Sequence, residues 1–453
     1  MCNRIQKIAK QDGFFIILVF ISFLFHLAMK PGGDDIGRIS AYSTMSYKDV
    51  LIDTWNFLER QPRYFTYLIV GTLCHLKYGF WIWRVTDCII IFIILKSISY
   101  LFVKNKDLNL LVGILIGMYP FSEMMTAGAI STTVGYTWIL SSLLLALVYL
   151  KKANCEKLRW YEILLFTLAT IYATEQEQIC ITLFIIFTVW TIFSFYKKNW
   201  YSFTLCCVAE LLTLCNAFIL FYVAFVGGRS NEIIYYPDFG SLSFIDKLEM
   251  AFSSTLDRVL FTNSIMLLLT GFILFIIWQR TKSKIYTFLG VVPFTVCFIG
   301  STKPFLFENI HNAINTTISD TVKYGTIHIN NYYNISSYFQ LFILCMTGGL
   351  ILLSLFLIGN NLKESLFSVA FIVLGLMTRM MLMFTVNIFA SSTRTYLFLW
   401  FSIICTTVYI VDNNYVEIIY PYINRRKNLS TFIQIALPVL AVCALINNML
   451  ACI

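Results

Sequence analysis

The chain has 453 residues, of which 58% are hydrophobic and 13% charged, with a formal net charge of +9. Soluble domains carry about 25% charged residues, so half the usual polar load is missing, and a mean hydropathy of +0.76 points to a chain solvated largely by hydrocarbon. The positive balance argues against a nucleic-acid partner, because the basic residues sit in short clusters between apolar runs and form no continuous patch.

In chain order, the first apolar run, Phe14 to Met29, follows Arg4, Lys7 and Lys10. It ends in His26-Leu27-Ala28-Met29-Lys30, without a small-x-small cleavage site, and reads as an uncleaved first helix. PGGDDIGRIS, residues 31–40, follows at once. Adjacent carboxylates such as Asp34 and Asp35 raise each other's proton affinity unless a cation or hydrogen bonds compensate, and Arg38 is close by. The pair suits a general base or an oxygen ligand for a divalent cation, although no recognisable metal site is completed. The alternative is turn chemistry at a helix end.

Residues 48–60 and 64–76 read as two helices lying along the membrane surface. Further apolar runs follow near 85–103, 108–120, 133–150, 160–173, 179–196, 200–226, 259–279, 285–300, 338–358, 366–389, 395–412 and 430–452. With the first run they predict an all-α polytopic protein of about thirteen spans, forming a single membrane domain over 1–453. Three runs (108–120, 160–173 and 285–300) are short for a bilayer.

Charge sets the orientation. If 64–76 does not span, then Lys104/Lys106, Lys151/Lys152, Lys197/Lys198, Arg280/Lys284, Lys363 and Arg425/Arg426 all join the N-terminus in the cytoplasm. The loops 31–84, 227–258 and 301–337 then face outward. So do Glu123 in YPFSEMM and Glu175 and Glu177 in ATEQEQIC, where helix-terminal capping is the structural alternative.

The charges within apolar runs include Lys96, Glu210 and Arg379. Lys96 can snorkel, and Arg379 can pair with Glu210 or meet an anionic headgroup. Arginine's fork suits phosphate oxygens, which makes Arg38, Arg63, Arg229, Arg379 and Arg394 candidate phosphate ligands. The thirteen cysteines include no CxxC and read as small apolar fillers, and the four histidines show no metal-binding spacing. No P-loop, GxGxxG or GxSxG motif is present.

An Asp-Asp directly after the first helix, two surface helices before the second span and many helices thereafter resemble the GT-C class of membrane glycosyltransferases. The chain looks like the bacterial Gtr-type enzymes that modify O-antigen or cell-wall polysaccharide. The matching stretches are GGDDIGR (32–38), Trp55 with QPRYF (61–65), TAGAISTTVGYTW (126–138), TEQEQ (174–178) and SSTRTY (391–396). Two departures are Gly135-Tyr136-Thr137-Trp138-Ile139, where an Asn-Tyr-Leu-Trp-Pro form is usual, and QPRY in place of Asn-Gly-Arg.

The resemblance implies transfer of a sugar, glucose in the Gtr type, from a polyprenyl-phosphate carrier to a polysaccharide acceptor. The setting it implies is the outer face of a bacterial inner membrane. Asp34 or Asp35 is then the base, Arg38, Arg63, Arg379 and Arg394 hold the donor phosphate, and Glu123, Tyr136, Trp138, Glu175 and Glu177 contact substrate. No cofactor is implied beyond an optional divalent cation. Two rival readings share the compartment: a lipid-linked oligosaccharide flippase, and an O-antigen polymerase or ligase using the late loop with Lys303, Glu308 and His311.

Overall fold

The computed structural model describes residues 2–57, 62–226, 237–261, 264–281, 283–301, 325–327, 331–386, 388, 392–424 and 427–453. Gln61, Arg229, Lys303, Glu308, His311, Arg425 and Arg426 lie outside them, as do much of the 227–258 and 301–337 loops. The side chains before Asp12 are likewise outside the description.

All regular structure among the described residues is helical. Among the described residues, eight helical stretches are long and apolar enough to cross a membrane, or nine if the bent pair Phe244–Phe261 and Ser264–Arg280 counts as one span. Three shorter apolar helices cover Asp12–Ala28, Trp160–Ala173 and Ala436–Leu450. By helix length and composition this is a multi-pass membrane protein. The 108–120 interval departs from a plain span: its helix has nine residues, a rise of about 14 Å, and a 3-10 turn follows over Phe121–Met125.

Where the sequence reads as one domain, the contacts form two compact units, Met1–Asn231 with Val439–Ile453, and Glu232–Pro438. The first contains α1 (Cys2–Ala28), α2 (Asp34–Tyr42), α3 (Tyr47–Phe57), α4 (Tyr64–His75) and α5 (Gly79–Phe102). It continues through α6 (Asn109–Gly117), α7 (Ala129–Gly135), α8 (Thr137–Ala153), α9 (Trp160–Ala173), α10 (Glu177–Tyr196) and α11 (Trp200–Val226). Helices therefore occupy the described part of 48–60, as far as Phe57, and Tyr64–His75 of 64–76, the two segments read from sequence as surface helices.

Hydrogen bonds sort the turns of this unit into two ends. Lys151 Nζ donates to the Tyr100 and Leu101 carbonyls, so α8 finishes beside the end of α5. Lys152 pairs with Glu162 at the start of α9, and Asn199, after α10, donates to the Asn154 carbonyl. Lys96 is held by Asp12 at 2.7 Å, an ion pair in place of snorkelling. At the opposite end, Arg84 near the start of α5 donates to the Met29 carbonyl just past α1. The helices thus alternate in direction, with the basic turns 104–106, 151–159 and 197–198 gathered at one end.

Between the ends, α1, α5 and α8 share a buried polar network. His26 Nε2 meets Asp87 Oδ2 at 3.0 Å, and Trp138 Nε1 donates to Asp87 Oδ1 at 2.8 Å. His26 Nδ1 lies 2.8 Å from the Ser22 carbonyl, and Trp83 packs on the His26 ring while donating to Thr133. Glu210 is stabilised locally, accepting from the Thr188 hydroxyl at 2.6 Å. All these groups are satisfied within the helix bundle, as hydrocarbon demands.

The second unit holds α12 (Phe244–Phe261), α13 (Ser264–Arg280), α14 (Lys284–Ser301), α15 (Ile335–Ile358), α16 (Leu362–Met380), α17 (Leu397–Asn414) and α18 (Tyr420–Asn424). Its final helix, α19 (Lys427–Leu450), continues into the first unit's segment. Arg280 donates to Asn360 and Asn414, which gathers the ends of α13 and α17 and the turn before α16. Tyr396, in a 3-10 turn over Ser392–Tyr396, donates to the Ser254 carbonyl of α12 at 3.2 Å.

Asp87→Leu leaves His26 and the Trp138 N–H without their acceptor in an apolar interior. It is expected to destabilise the protein by about 1–3 kcal/mol, while Asp87→Asn, which keeps one acceptor, costs less. Thermal unfolding of the purified variants in one detergent checks the order; equal midpoints for Asp87→Leu and wild type would show that the network contributes nothing.

Candidate functional site

The GGDD turn is built by close backbone approach. Gly33 has φ 51° and Gly128 has φ 101°, conformations that L side chains rarely adopt. A Cβ on Gly33 would lie 2.8 Å from the Ala127 carbonyl carbon, and one on Gly128 would lie 2.6 Å from the Asp35 carboxyl carbon. With both side chains absent, Asp34 N donates to the Ala127 carbonyl and the turn seats against the start of α7.

The two aspartates then take different roles. Asp35 is fully buried, and its oxygens accept from Ile130 N at 2.8 Å, Ser131 N at 3.0 Å and Ser131 Oγ at 2.7 Å. It caps α7 across 95 residues of sequence, supplying the acceptor that free N–H groups at a helix start require. Burial pushes its proton affinity up, while the Ser131 and Ile130 hydrogen bonds and the charge of Arg38 pull the other way. Asp34 is exposed at the first position of α2. Arg38 lies four residues on, so the two side chains share one helix face.

The Arg38 guanidinium lies over the Tyr67 ring of α4 at 5.6 Å. One turn before Tyr67, Arg63 forms a 2.7 Å ion pair with Glu177 at the start of α10. Burial alone lowers the pKa of Arg63, but Glu177, followed by Tyr136 and Tyr67, carries it above the usual arginine value. Tyr136 occupies the break between α7 and α8. A group of charges and rings therefore runs from Arg38 through Tyr67 and Arg63 to Tyr136 and Glu177, with Asp34 one helix turn from Arg38.

Glu175 mirrors Asp35. It is buried, and it accepts from Phe65 N at 2.6 Å and from Thr66 N and Oγ1, both at 2.9 Å, capping α4. Burial raises its pKa against the opposing pull of those hydrogen bonds. In TEQEQ, then, the first acid holds a helix end and the second holds an arginine.

The remaining sequence candidates have other partners. Trp138 is buried with its indole committed to Asp87, and Glu123 is buried in the 3-10 turn after Pro120, beside Tyr119. Arg379 and Arg394 belong to the second unit. Arg379 is 3% exposed, donates to the Ile388 carbonyl at 2.7 Å and stacks 4.5 Å from the Tyr396 ring centroid, so its partners differ from the expected Glu210. Its Nε and Nη1 have no hydrogen-bond acceptor among the described residues. Arg394 is half-buried in the turn that carries Tyr396.

Sequence reasoning missed Tyr67, Ser131 and the His26–Asp87 pair. Tyr67 falls four residues after Arg63 on a segment expected to be helical, and Asp87 is an acid within the 85–103 apolar run, so both carried a readable signal. Among the described residues no three of His, Cys, Asp and Glu come together to hold a metal ion. Compared with family models, curated protein sequences and solved structures, the chain matches none.

Removing the Asp35 cap leaves buried N–H groups unpaired. Asp35→Ala is expected to cost about 1–2 kcal/mol, and Gly128→Ala to destabilise as well, whereas Asp34→Ala should stay within about 0.5 kcal/mol. Thermal midpoints of the three variants check this; a larger loss for Asp34→Ala than for Asp35→Ala contradicts the division of roles.

Proposed function

We propose that this protein is a GT-C-like glycosyltransferase that moves a sugar, glucose by resemblance, from a polyprenyl-phosphate carrier to O-antigen or another cell-surface polysaccharide. In this reading it sits in the bacterial inner membrane, with the N-terminus and basic turns in the cytoplasm. The shorter helices complete a topology of about thirteen spans, and the Asp34 end opens on the outer face. The supporting observation is the asymmetry of the aspartate pair. Asp35 is locked as a helix cap, while Asp34 is exposed one turn from Arg38, which lies over Tyr67, itself one turn from the Arg63–Glu177 pair.

The chemistry follows from those groups. Asp34 takes the proton of an acceptor hydroxyl as its oxygen bonds to the anomeric carbon. The bond from that carbon to the phosphate oxygen breaks, its electron pair leaving with the phosphate through an oxocarbenium-like state. Arg38 and Arg63 offset the charge that grows on the leaving group. Arg63 is already aligned by Glu177, which lowers the reorganisation that the reaction requires. Tyr136 provides an aromatic contact for sugar at the edge of the group.

A second reading, movement of lipid-linked sugar between leaflets, has one observation in its favour. Arg379 is buried with two nitrogens lacking acceptors among the described residues, as suits a charge that receives a phosphate in passage.

Transfer to a glycan acceptor in membranes supplied with a polyprenyl-phosphate sugar separates the readings. Asp34→Asn is expected to lower transfer about 10²–10⁴-fold with an unchanged thermal midpoint, and Arg63→Ala to lower it while weakening donor binding. Full activity in Asp34→Asn removes it as the base. Lipid-linked sugar crossing the bilayer with no glycosidic bond formed supports the transport reading instead.

A further inference from the structure

A groove of about 450 Å³ runs between α1 and α5, lined by apolar side chains that include Val19, Phe20, Phe23, Val85, Ile89 and Phe92. Phe20 and Ile89 are more than half exposed, so the groove opens sideways to the medium around the helices. From residue 16 to residue 23 of α1 the rise is about 10 Å, most of the depth of one leaflet of a hydrocarbon core about 30 Å thick. Its lining suits an acyl chain and its length the upper half of one.

The groove's upper end carries positive charge and aromatic rings. Trp81 packs against Phe23 at 6.3 Å between ring centroids. Arg84, one residue before the lining residue Val85, lies over Phe80 and Trp81. It spends an Nη2 hydrogen on the Met29 carbonyl, and its Nε has no acceptor among the described residues. No carboxylate among the described residues pairs with Arg84. Lys30, next along the chain from Met29, is exposed. Two cations therefore stand where a headgroup sits when a chain fills the groove, and a phosphate is the complement that a guanidinium fork accepts.

We propose that the α1–α5 groove is a binding site for an anionic phospholipid, its acyl chain along Phe20, Val85 and Ile89 and its headgroup phosphate on Arg84 and Lys30. Met29, which α1 delivers to Arg84, directly precedes the Lys30–Gly33 turn. An occupied site therefore steadies the stem from which Asp34 projects. The proposal rests on the multi-pass membrane character of the chain and is independent of the sugar-transfer reading.

The test uses the purified full-length protein, freed of lipid in mild detergent and titrated with phosphatidylglycerol or with phosphatidylcholine of identical chains. Bound lipid is counted by mass spectrometry of the intact complex, with thermal midpoints alongside. Wild type is expected to bind phosphatidylglycerol at least about tenfold more tightly than phosphatidylcholine, because the choline ammonium of the latter offsets the phosphate charge that both lipids share and is repelled by the two cations. Arg84→Gln and Lys30→Gln should each narrow that preference. Ile89→Trp, which fills the groove at an exposed position and keeps both cations, should weaken binding of either lipid.

Equal affinity of wild type for the two lipids would overturn the proposal. So would undiminished phosphatidylglycerol binding by Ile89→Trp, even if Arg84→Gln failed to fold. Sugar transfer, measured separately, reports on Asp34 and leaves this outcome untouched.

Discussion

The candidate site depends on one contact: the Asp35 carboxylate set against the first N–H groups of α7. Everything around it is arranged to let those atoms meet. Gly33 and Gly128 give up their side chains so that two turns can touch backbone to backbone. The approach lets a residue just past the first helix hold down a helix that begins almost a hundred residues later. With Asp35 committed to that task, its neighbour is turned outward, because successive residues of a helix point about 100° apart. One buried carboxylate thus places another at the surface without any direct contact between them.

The same economy recurs at several charges of the first unit. Glu175 holds α4 and Glu177 holds Arg63; Asp87 joins His26 to Trp138; Asp12 holds Lys96. Each acid binds helices that are distant in sequence, because in an apolar surrounding an unpaired carboxylate is far costlier than an ordered one. The result is a bundle with polar fastenings, whose two ends differ in charge. Lys151 binds helix-terminal carbonyls at one end, while Asp35 and Glu175 bind helix-starting amides at the other, as the helix dipole favours.

Much of this was legible before any coordinates. Apolar runs located the long helices, and the short 64–76 segment read as a surface helix because a span there would flip every later basic cluster to the other side. The clustering of Lys104, Lys151 and Lys197 foretold that their turns share an end, which Lys151's bonds to the end of α5 bear out within the first unit. What could not be read was which acid of a pair does what. Asp34 and Asp35 are chemically identical letters, and their difference lies in an acceptor-hungry helix end 95 residues away. Trp138 read as a sugar-stacking ring because nothing in its neighbourhood of sequence reveals Asp87. The nine-residue α6 likewise hides in a run whose hydropathy resembles that of its longer neighbours.

The cap on α4 has a consequence in time. Phe65 and Thr66 donate to Glu175, an acceptor 110 residues further along the chain for Phe65. At about 5–20 residues per second, the ribosome needs on the order of ten seconds to produce that interval. Through that period the first amides of α4 have no carboxylate to close on, and until Ser131 emerges Asp35 has no helix to cap. The segment after the first helix is therefore synthesised early and completed late. It waits for partners that arrive only once several more helices have been made, so a structure begun early is sealed late.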